Sequence, residues 1–258
     1  MDKSLSSPSQ RLFSLAGKTA CVTGASSGLG RHAATFLALN GVRVVALARR
    51  GNELRKWQSS VSGDTYVICA DLSDRSDLNN IADEVVQAFG APDILINAAG
   101  INTRQAADDV TFQSWNMTLD LNLSAPFFLA QRFAKQMKIK NWGRIINFAS
   151  LQSFRAFPDG IAYGTSKAGI AQMTRAMAQA WSPYGITANA IAPGFFKTEL
   201  TSAVFNDPDR AAANAAQTCI GRNGEPEDLD GPLQFLCSDA SAYVTGQILC
   251  VDGGFTAK

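Results

Sequence analysis

Seven short runs of apolar residues recur along the chain, at Thr19–Thr23, Val42–Ala48, Tyr66–Cys69, Ile94–Asn97, Arg144–Phe148, Thr187–Ala192 and Ile248–Val251. None alternates apolar with polar, as a strand with one wet face would. Unbroken short runs are what a parallel sheet buried on both faces requires. Between them lie longer stretches with helical character: Arg31–Asn40, a stretch after Asp71 to Phe89, Phe112–Lys138, the segment opened by Tyr163 and running through Ala168–Trp181, and Leu229–Cys237. Strands alternating with helices imply βαβ units joined by right-handed crossovers. The pattern predicts an α/β fold, a doubly wound Rossmann-type domain with a mostly parallel seven-stranded sheet. No linker-like run interrupts it, so residues 12–258 are expected to form one domain. Residues 1–11, polar and Ser-rich, are expected to form a flexible tail.

Composition narrows the possible functions. The chain has 258 residues, 46% of them hydrophobic, with a net charge of +1. That balance offers no polybasic surface for nucleic acid or membrane. No apolar run approaches the ~18–20 residues that span a bilayer, and no apolar segment at the start resembles a secretory signal. Cys21, Cys69, Cys219, Cys237 and Cys250 show no metal-like spacing. They read as reduced thiols in a cytoplasmic protein. The lone histidine, His32, has no partner cluster in sequence, and no metal is expected.

Two stretches carry chemistry. The first apolar run breaks into Gly24-Ala25-Ser26-Ser27-Gly28-Leu29-Gly30 before a helix. Strand, glycine turn and helix together form a phosphate-binding opening, because a helix N-terminus presents free N–H groups. The second is Tyr163-Gly164-Thr165-Ser166-Lys167. Residues i and i+4 share a helix face. An ammonium beside a phenol, whose ordinary pKa is about 10, favours the phenolate and suits acid–base work.

Together with Asp71, Asn97-Ala98-Ala99-Gly100, Asn122, Ser150, Pro193-Gly194, Thr198 and the closing Val251-Asp252-Gly253-Gly254, these motifs resemble the short-chain dehydrogenase/reductase family over nearly the whole chain. The resemblance implies hydride transfer between a nicotinamide cofactor and a ketone or secondary alcohol. It implies Tyr163 as proton donor and acceptor, Ser150 bonding the substrate oxygen, and Lys167 lowering the tyrosine pKa and holding the ribose. Asn122 would kink its helix and anchor a water. The implied cofactor contacts are Gly24, Ser26, Ser27, Gly28, Leu29, Gly30, Arg49, Arg50, Asp71, Leu72, Asn97, Ala98, Ala99, Gly100, Tyr163, Lys167, Pro193, Gly194, Phe196 and Thr198. Asp71 would bind the adenine amine, and Thr198 the carboxamide.

The family's acidic position at the end of the second strand is taken by Ala48, followed by Arg49 and Arg50. That replacement predicts NADP(H) over NAD(H). Arg104, Gln152, Phe157, Phe195 and Phe205 are the expected substrate contacts. The arginine suits a carboxylate and the phenylalanines a bulky carbonyl compound. Similarity around Ile101–Arg104 and Asp108–Thr111 points to members that act on keto sugar acids, such as gluconate 5-dehydrogenases. The alternatives are bulky ketones or ketoesters, a 3-oxoacyl thioester, or a non-catalytic NADP-binding regulator. A homotetramer is expected.

Overall fold

The structure is a computed structural model that describes residues 7–258. Its strands are β1 (Thr19–Thr23), β2 (Arg43–Ala48), β3 (Thr65–Cys69), β4 (Ile94–Asn97), β5 (Gly143–Phe148), β6 (Ile186–Pro193) and β7 (Ile248–Val251). They form one sheet in the order β3-β2-β1-β4-β5-β6-β7. Every neighbouring pair is parallel. The sheet is therefore all-parallel and doubly wound, with its reversal of direction between β1 and β4. Open α/β sheets bind ligands in the crevice at such a switch point, outside the carboxyl ends of the strands.

The helices are α1 (Pro8–Phe13), α2 (Gly28–Leu39), α3 (Gly51–Ser60), α4 (Leu78–Phe89), α5 (Phe112–Leu119), α6 (Ala125–Lys140), α7 (Ile161–Trp181), α8 (Ser202–Phe205), α9 (Pro208–Gln217) and α10 (Asp230–Cys237). Successive strand residues feed two cores, because side chains alternate across a sheet. Ala20, Val22, Val44, Ala46, Ile94 and Ile96 pack with Leu37, Trp57 and Leu233 on one face. Cys21, Val45, Leu47, Leu95 and Ile145 pack with Val85, Phe133, Met137 and Met177 on the other. Removing a wholly buried ring such as Phe133 would cost about 3–5 kcal/mol.

Three segments differ from the sequence reading. The expected tail, 1–11, lies outside the described residues at 1–6, but from Pro8 the chain is helical. A reciprocal cap starts α1: Gln10 N donates to Ser7 Oγ at 3.2 Å and Ser7 N to Gln10 Oε1 at 3.0 Å. α3 had no counterpart in the sequence reading, since only Leu54 and Trp57 of its ten residues face the core. The stretch between Pro193 and Leu229, for which the sequence reading offered no element, contains α8 and α9. Asp207 caps α9, and Pro208 supplies its preset first turn.

The long helical region splits at a π-helical turn, Asp120–Ser124. All five cysteines are free. Burial pushes the Cys21 and Cys237 thiols up to about 12. No described helix is long and apolar enough to cross a membrane.

Candidate active site

The ends of β1, β4, β5 and β6 open into a crevice of about 830 Å³. Its floor is the glycine turn. A Cβ on Gly24 would stand 2.7 Å from Ala99 N, and one on Gly30 would stand 2.5 Å from the Gly24 carbonyl oxygen. These two glycines let the turn pack against the end of β4. The Thr23 hydroxyl completes that seam by accepting from Ala98 N and Ala99 N, both at 3.1 Å. Gly28, with φ of +53°, faces Thr198 across the groove. Ser27 is the N-cap residue of α2, yet its side chain makes no capping bond. The helix start thus offers main-chain donors where a pyrophosphate would fit.

Deeper in the crevice lie Ser150, Tyr163 and Lys167. α7 starts at Ile161, so Tyr163 and Lys167 fall one turn apart on its buried face. Tyr163 is 9% exposed and Lys167 5%. The Lys167 ammonium sits 5.6 Å from the centre of the tyrosine ring. It donates to the Phe148 carbonyl at 2.7 Å. Burial lowers the lysine pKa to about 8. Burial also raises that of the phenol, against the opposing effects of a hydrogen bond with Ser150 and the positive charge of Arg104.

This corrects one expectation. In this state Tyr163 is held above its ordinary pKa because burial outweighs the effects that favour the phenolate, and the Lys167 ammonium, which donates to the Phe148 carbonyl, is not among those effects. The phenol is protonated at neutral pH. Ser150 is held by its own turn: its hydroxyl accepts from Gln152 N at 3.1 Å. Ser153, which the sequence reading passed over, donates its hydroxyl to the Lys167 carbonyl at 2.7 Å.

Asn122 sits in the π-helical turn, outside the crevice lining. Its Oδ1 accepts from Ile101 N at 2.9 Å, and its Nδ2 donates to Ile101 O at 2.9 Å and Ser166 Oγ at 3.0 Å. The side chain fixes the loop after β4 to α7. Asn97 also points away from the crevice: its amide donates to Asn147 Oδ1 at 2.8 Å inside the sheet. Gly100 abuts both parts, for a Cβ there would lie 3.3 Å from Asn122 Oδ1 and 3.7 Å from Lys167 Nζ.

At the outer rim, Ala48 ends β2 with Arg49 and Arg50 beyond it. Arg50 turns inward. Its Nε and Nη2 donate to Ser26 Oγ at 3.2 and 3.1 Å, Nη2 also to Ser27 Oγ at 2.5 Å, and Nη1 to Glu199 Oε2 at 2.7 Å. Arg49 stays more exposed, with Asp71 3.6 Å away. The Asp71 carboxylate accepts from Ser73 N at 2.9 Å and Ser73 Oγ at 2.7 Å. Asp71 therefore caps its own turn and does not line the crevice, whereas its neighbour Leu72 does. Leu29, Pro193, Gly194, Phe196 and Thr198 are all in the lining. The arginine fork, the two serines and the uncapped helix start fit a nicotinamide dinucleotide.

On the substrate side, Arg104, Gln152, Phe157 and Phe195 line the crevice; Phe205 does not. Phe205 is half-buried in α8, a four-residue helix that presents Val204 to the crevice instead. Arg104 has φ of +49°, an uncommon left-handed backbone. Its Nη2 donates to the Leu200 carbonyl at 2.9 Å. Phe157, Phe195 and Phe255 form a ring cluster, with Phe195 and Phe255 edge to face at 5.6 Å. Sequence reasoning missed Phe255, which lies just after the Gly253-Gly254 turn it did single out. It also missed Glu199, adjacent to Thr198. No group of three potential metal-ligating side chains occurs among the described residues. His32 instead meets Asp230, Nε2 to Oδ1 at 2.7 Å.

Comparison with known proteins gives a consistent picture. The profile of a family described as enoyl-(acyl carrier protein) reductase matches residues 24–256. A 2-dehydro-3-deoxy-D-gluconate 5-dehydrogenase of Escherichia coli (strain K12) is 38% identical over 248 residues, covering 95% of this chain and 98% of that protein. An NAD-dependent glycerol dehydrogenase of Listeria innocua is 32% identical over 252 residues, covering 95% and 96%. The crystal structure of a gluconate 5-dehydrogenase from Burkholderia cenocepacia J2315, in complex with NADP and tartrate, superposes with a TM-score of 0.89 at 34% identity, covering 97% of this chain and 99% of that one.

Proposed function

Because the chain belongs to the short-chain dehydrogenase/reductase family, we propose that it interconverts a ketone and a secondary alcohol using NADP(H), with Tyr163 as the proton-transferring group. The observation that carries this reading is a buried phenol one helical turn from a buried lysine, in the same crevice as Ser150 and the glycine turn. When bound, the nicotinamide supplies a hydride to the carbonyl carbon, or accepts one from the alcohol carbon. In reduction, Tyr163 gives its proton to the carbonyl oxygen while Ser150 holds that oxygen in place. The resulting phenolate is stabilised by the Lys167 ammonium. In oxidation the same proton returns to Tyr163. Asn122 keeps the loop after β4 seated against α7, so that Gly100 stays close to Lys167.

The Arg50 fork on Ser26 and Ser27, with Ala48 at the strand end, favours the phosphorylated cofactor. An NADP-bound relative accords with this. The preferred substrate is a keto sugar acid, with the positive Arg104 beside Tyr163 as the group that meets its carboxylate. The Phe157–Phe195–Phe255 cluster supports a second reading, a bulky ketone or ketoester. Exposed Phe112 and Phe128 on α5 and α6, and Tyr243 and Leu249 at the β7 edge, support a homotetramer.

A panel of keto sugar acids, aryl ketones, ketoesters and 3-oxoacyl thioesters, followed by nicotinamide absorbance, tests the reading. The highest kcat/KM is expected with the sugar acids. Exclusive turnover of neutral ketones would move the assignment to the second reading. Tight cofactor binding with no turnover of any compound would make the protein a regulator.

A further inference from the structure

The groove that takes the cofactor already holds an anion of the protein's own. Glu199 lies one residue past Thr198 on the segment leaving β6, and its carboxylate meets Arg50 Nη1 at 2.7 Å. Arg50 stands on the opposite rim, after β2, and both residues line the crevice. The remaining nitrogens of the guanidinium rest on Ser26 and Ser27. A guanidinium pairs with carboxylates and phosphates through the same planar donors. The group best placed to receive an added phosphate is therefore partly neutralised by Glu199.

We propose that Glu199 is a resident counter-ion that competes with the adenosine phosphate for Arg50, and so sets how strongly the phosphorylated cofactor is preferred. The proposal rests on the NADP(H) reading above. NAD(H) brings no charge to this point and leaves the pair as it is. NADP(H) brings a phosphate that must displace the carboxylate or share the arginine with it. Glu199 is thus a selectivity residue that restrains NADP(H) binding, with no part in the chemistry at Tyr163. Its side chain is 64% exposed and that of Arg50 46%, so solvent screens the pair. An exposed ion pair of this kind corresponds to about a two- to fivefold change in affinity.

Titration calorimetry of the full chain with NADP⁺ and NAD⁺ tests this directly. Glu199→Gln keeps the shape and removes the charge. It should tighten NADP⁺ about two- to fivefold, leave NAD⁺ unchanged, and lose its advantage as salt is raised. In an Arg50→Ala background the same substitution should do nothing. Unchanged or weaker NADP⁺ binding in Glu199→Gln would overturn the proposal. So would equal tightening of both cofactors, which would place the effect on the shared pyrophosphate. Wild type binding NAD⁺ more tightly than NADP⁺ is a separate result: it would overturn the cofactor assignment itself, and the proposal with it.

Discussion

The two walls of the crevice are built differently. On the sheet side, several polar groups are tied to main chain: the Thr23 hydroxyl to Ala98 and Ala99, Asn122 to both polar groups of Ile101, Lys167 to Phe148, Ser153 to Lys167. These partners belong to the segments at the strand ends and to a long helix with one buried face, which hold them in place. On the flap side, beyond Phe196, which is buried and bridged to Gly224, residues 197–217 rest on a few side-chain contacts. Arg50 holds Glu199, Arg104 holds the Leu200 carbonyl, and the Thr201 hydroxyl donates to Phe196 O at 2.5 Å. α9 buries none of its residues. The difference teaches where the chemistry and the choosing reside. On the proposed function, proton transfer sits where the backbone fixes position, and selectivity where one substitution can alter a contact without disturbing the fold.

If that division holds, the largest losses come from the sheet-side wall. Tyr163→Phe keeps the ring and removes the proton. It should lower kcat about 10²–10⁴-fold with cofactor affinity intact. Near-normal turnover in that variant would remove Tyr163 from the chemistry and erase the distinction between the walls.

Lys167 offers a comparable effect on stability, with a definite sign. Its ordinary pKa of 10.5 falls to about 8 when buried. Between those values the unfolded chain binds more protons, so folding becomes more favourable as pH rises through the window. Below pH 8 the burial of the charge is fully opposed to folding, by something on the order of 3 kcal/mol. Tyr163 has the opposite sign, but its raised pKa acts only above about pH 10. Denaturant titrations at pH 7 and about pH 9.5 should show wild type gaining stability relative to Lys167→Met. A constant gap between the two proteins would mean that the ammonium is not desolvated as its position implies.

Much of the sheet-side wall was legible in the sequence, for reasons that the same contrast explains. A strand buried on both faces must be apolar throughout, so β1, β4 and β5 stand out against any background. The glycines announce the turn because Gly24 and Gly30 have no room for a Cβ. The four-residue spacing of Tyr163 and Lys167 survives because α7 is regular. What spacing does not reveal is that the lysine bonds the Phe148 carbonyl, a contact made across 19 residues by tertiary packing. Asn97 and Asp71 were read as cofactor contacts, but one is spent on Asn147 and the other on Ser73. The flap was least legible. α9 has no buried face to create a pattern, α3 shows only Leu54 and Trp57, and Glu199 gains its role from Arg50, 149 residues away.

Rim residues should give intermediate effects confined to binding. Arg50→Ala removes the fork from Ser26 and Ser27 and should weaken NADP⁺ about ten- to a hundredfold, with NAD⁺ little changed. Arg49→Ala should weaken it less than about fivefold, since Arg49 is exposed and faces Asp71 at 3.6 Å. Ala48→Asp places a carboxylate at the end of β2 and should swing preference to NAD⁺. Dissociation constants measured by titration calorimetry separate these cases. A larger loss at Arg49 than at Arg50 would reverse the assignment of the two side chains.

A small effect also belongs to Arg104, where the two walls meet. It extends from the β4 loop, lies near enough to Tyr163 to favour the phenolate, and fastens the flap through Leu200. Because the side chain is exposed and one donor is already engaged, its hold on a substrate carboxylate is worth about 1 kcal/mol, or five- to tenfold in KM. Arg104→Ala should therefore raise KM for acidic substrates by that factor and leave neutral ketones near wild type. A flap strap with no substrate contact predicts something else: equal rises in KM for both classes. Arg104→Lys distinguishes charge from geometry. Lysine keeps the positive charge without the planar fork, so partial recovery with acidic substrates alone assigns the residue to the substrate. Recovery with neither class, alongside equal losses in Arg104→Ala, leaves the arginine as a strap on Leu200. The left-handed backbone at this position is shared by all the variants and drops out of the comparison.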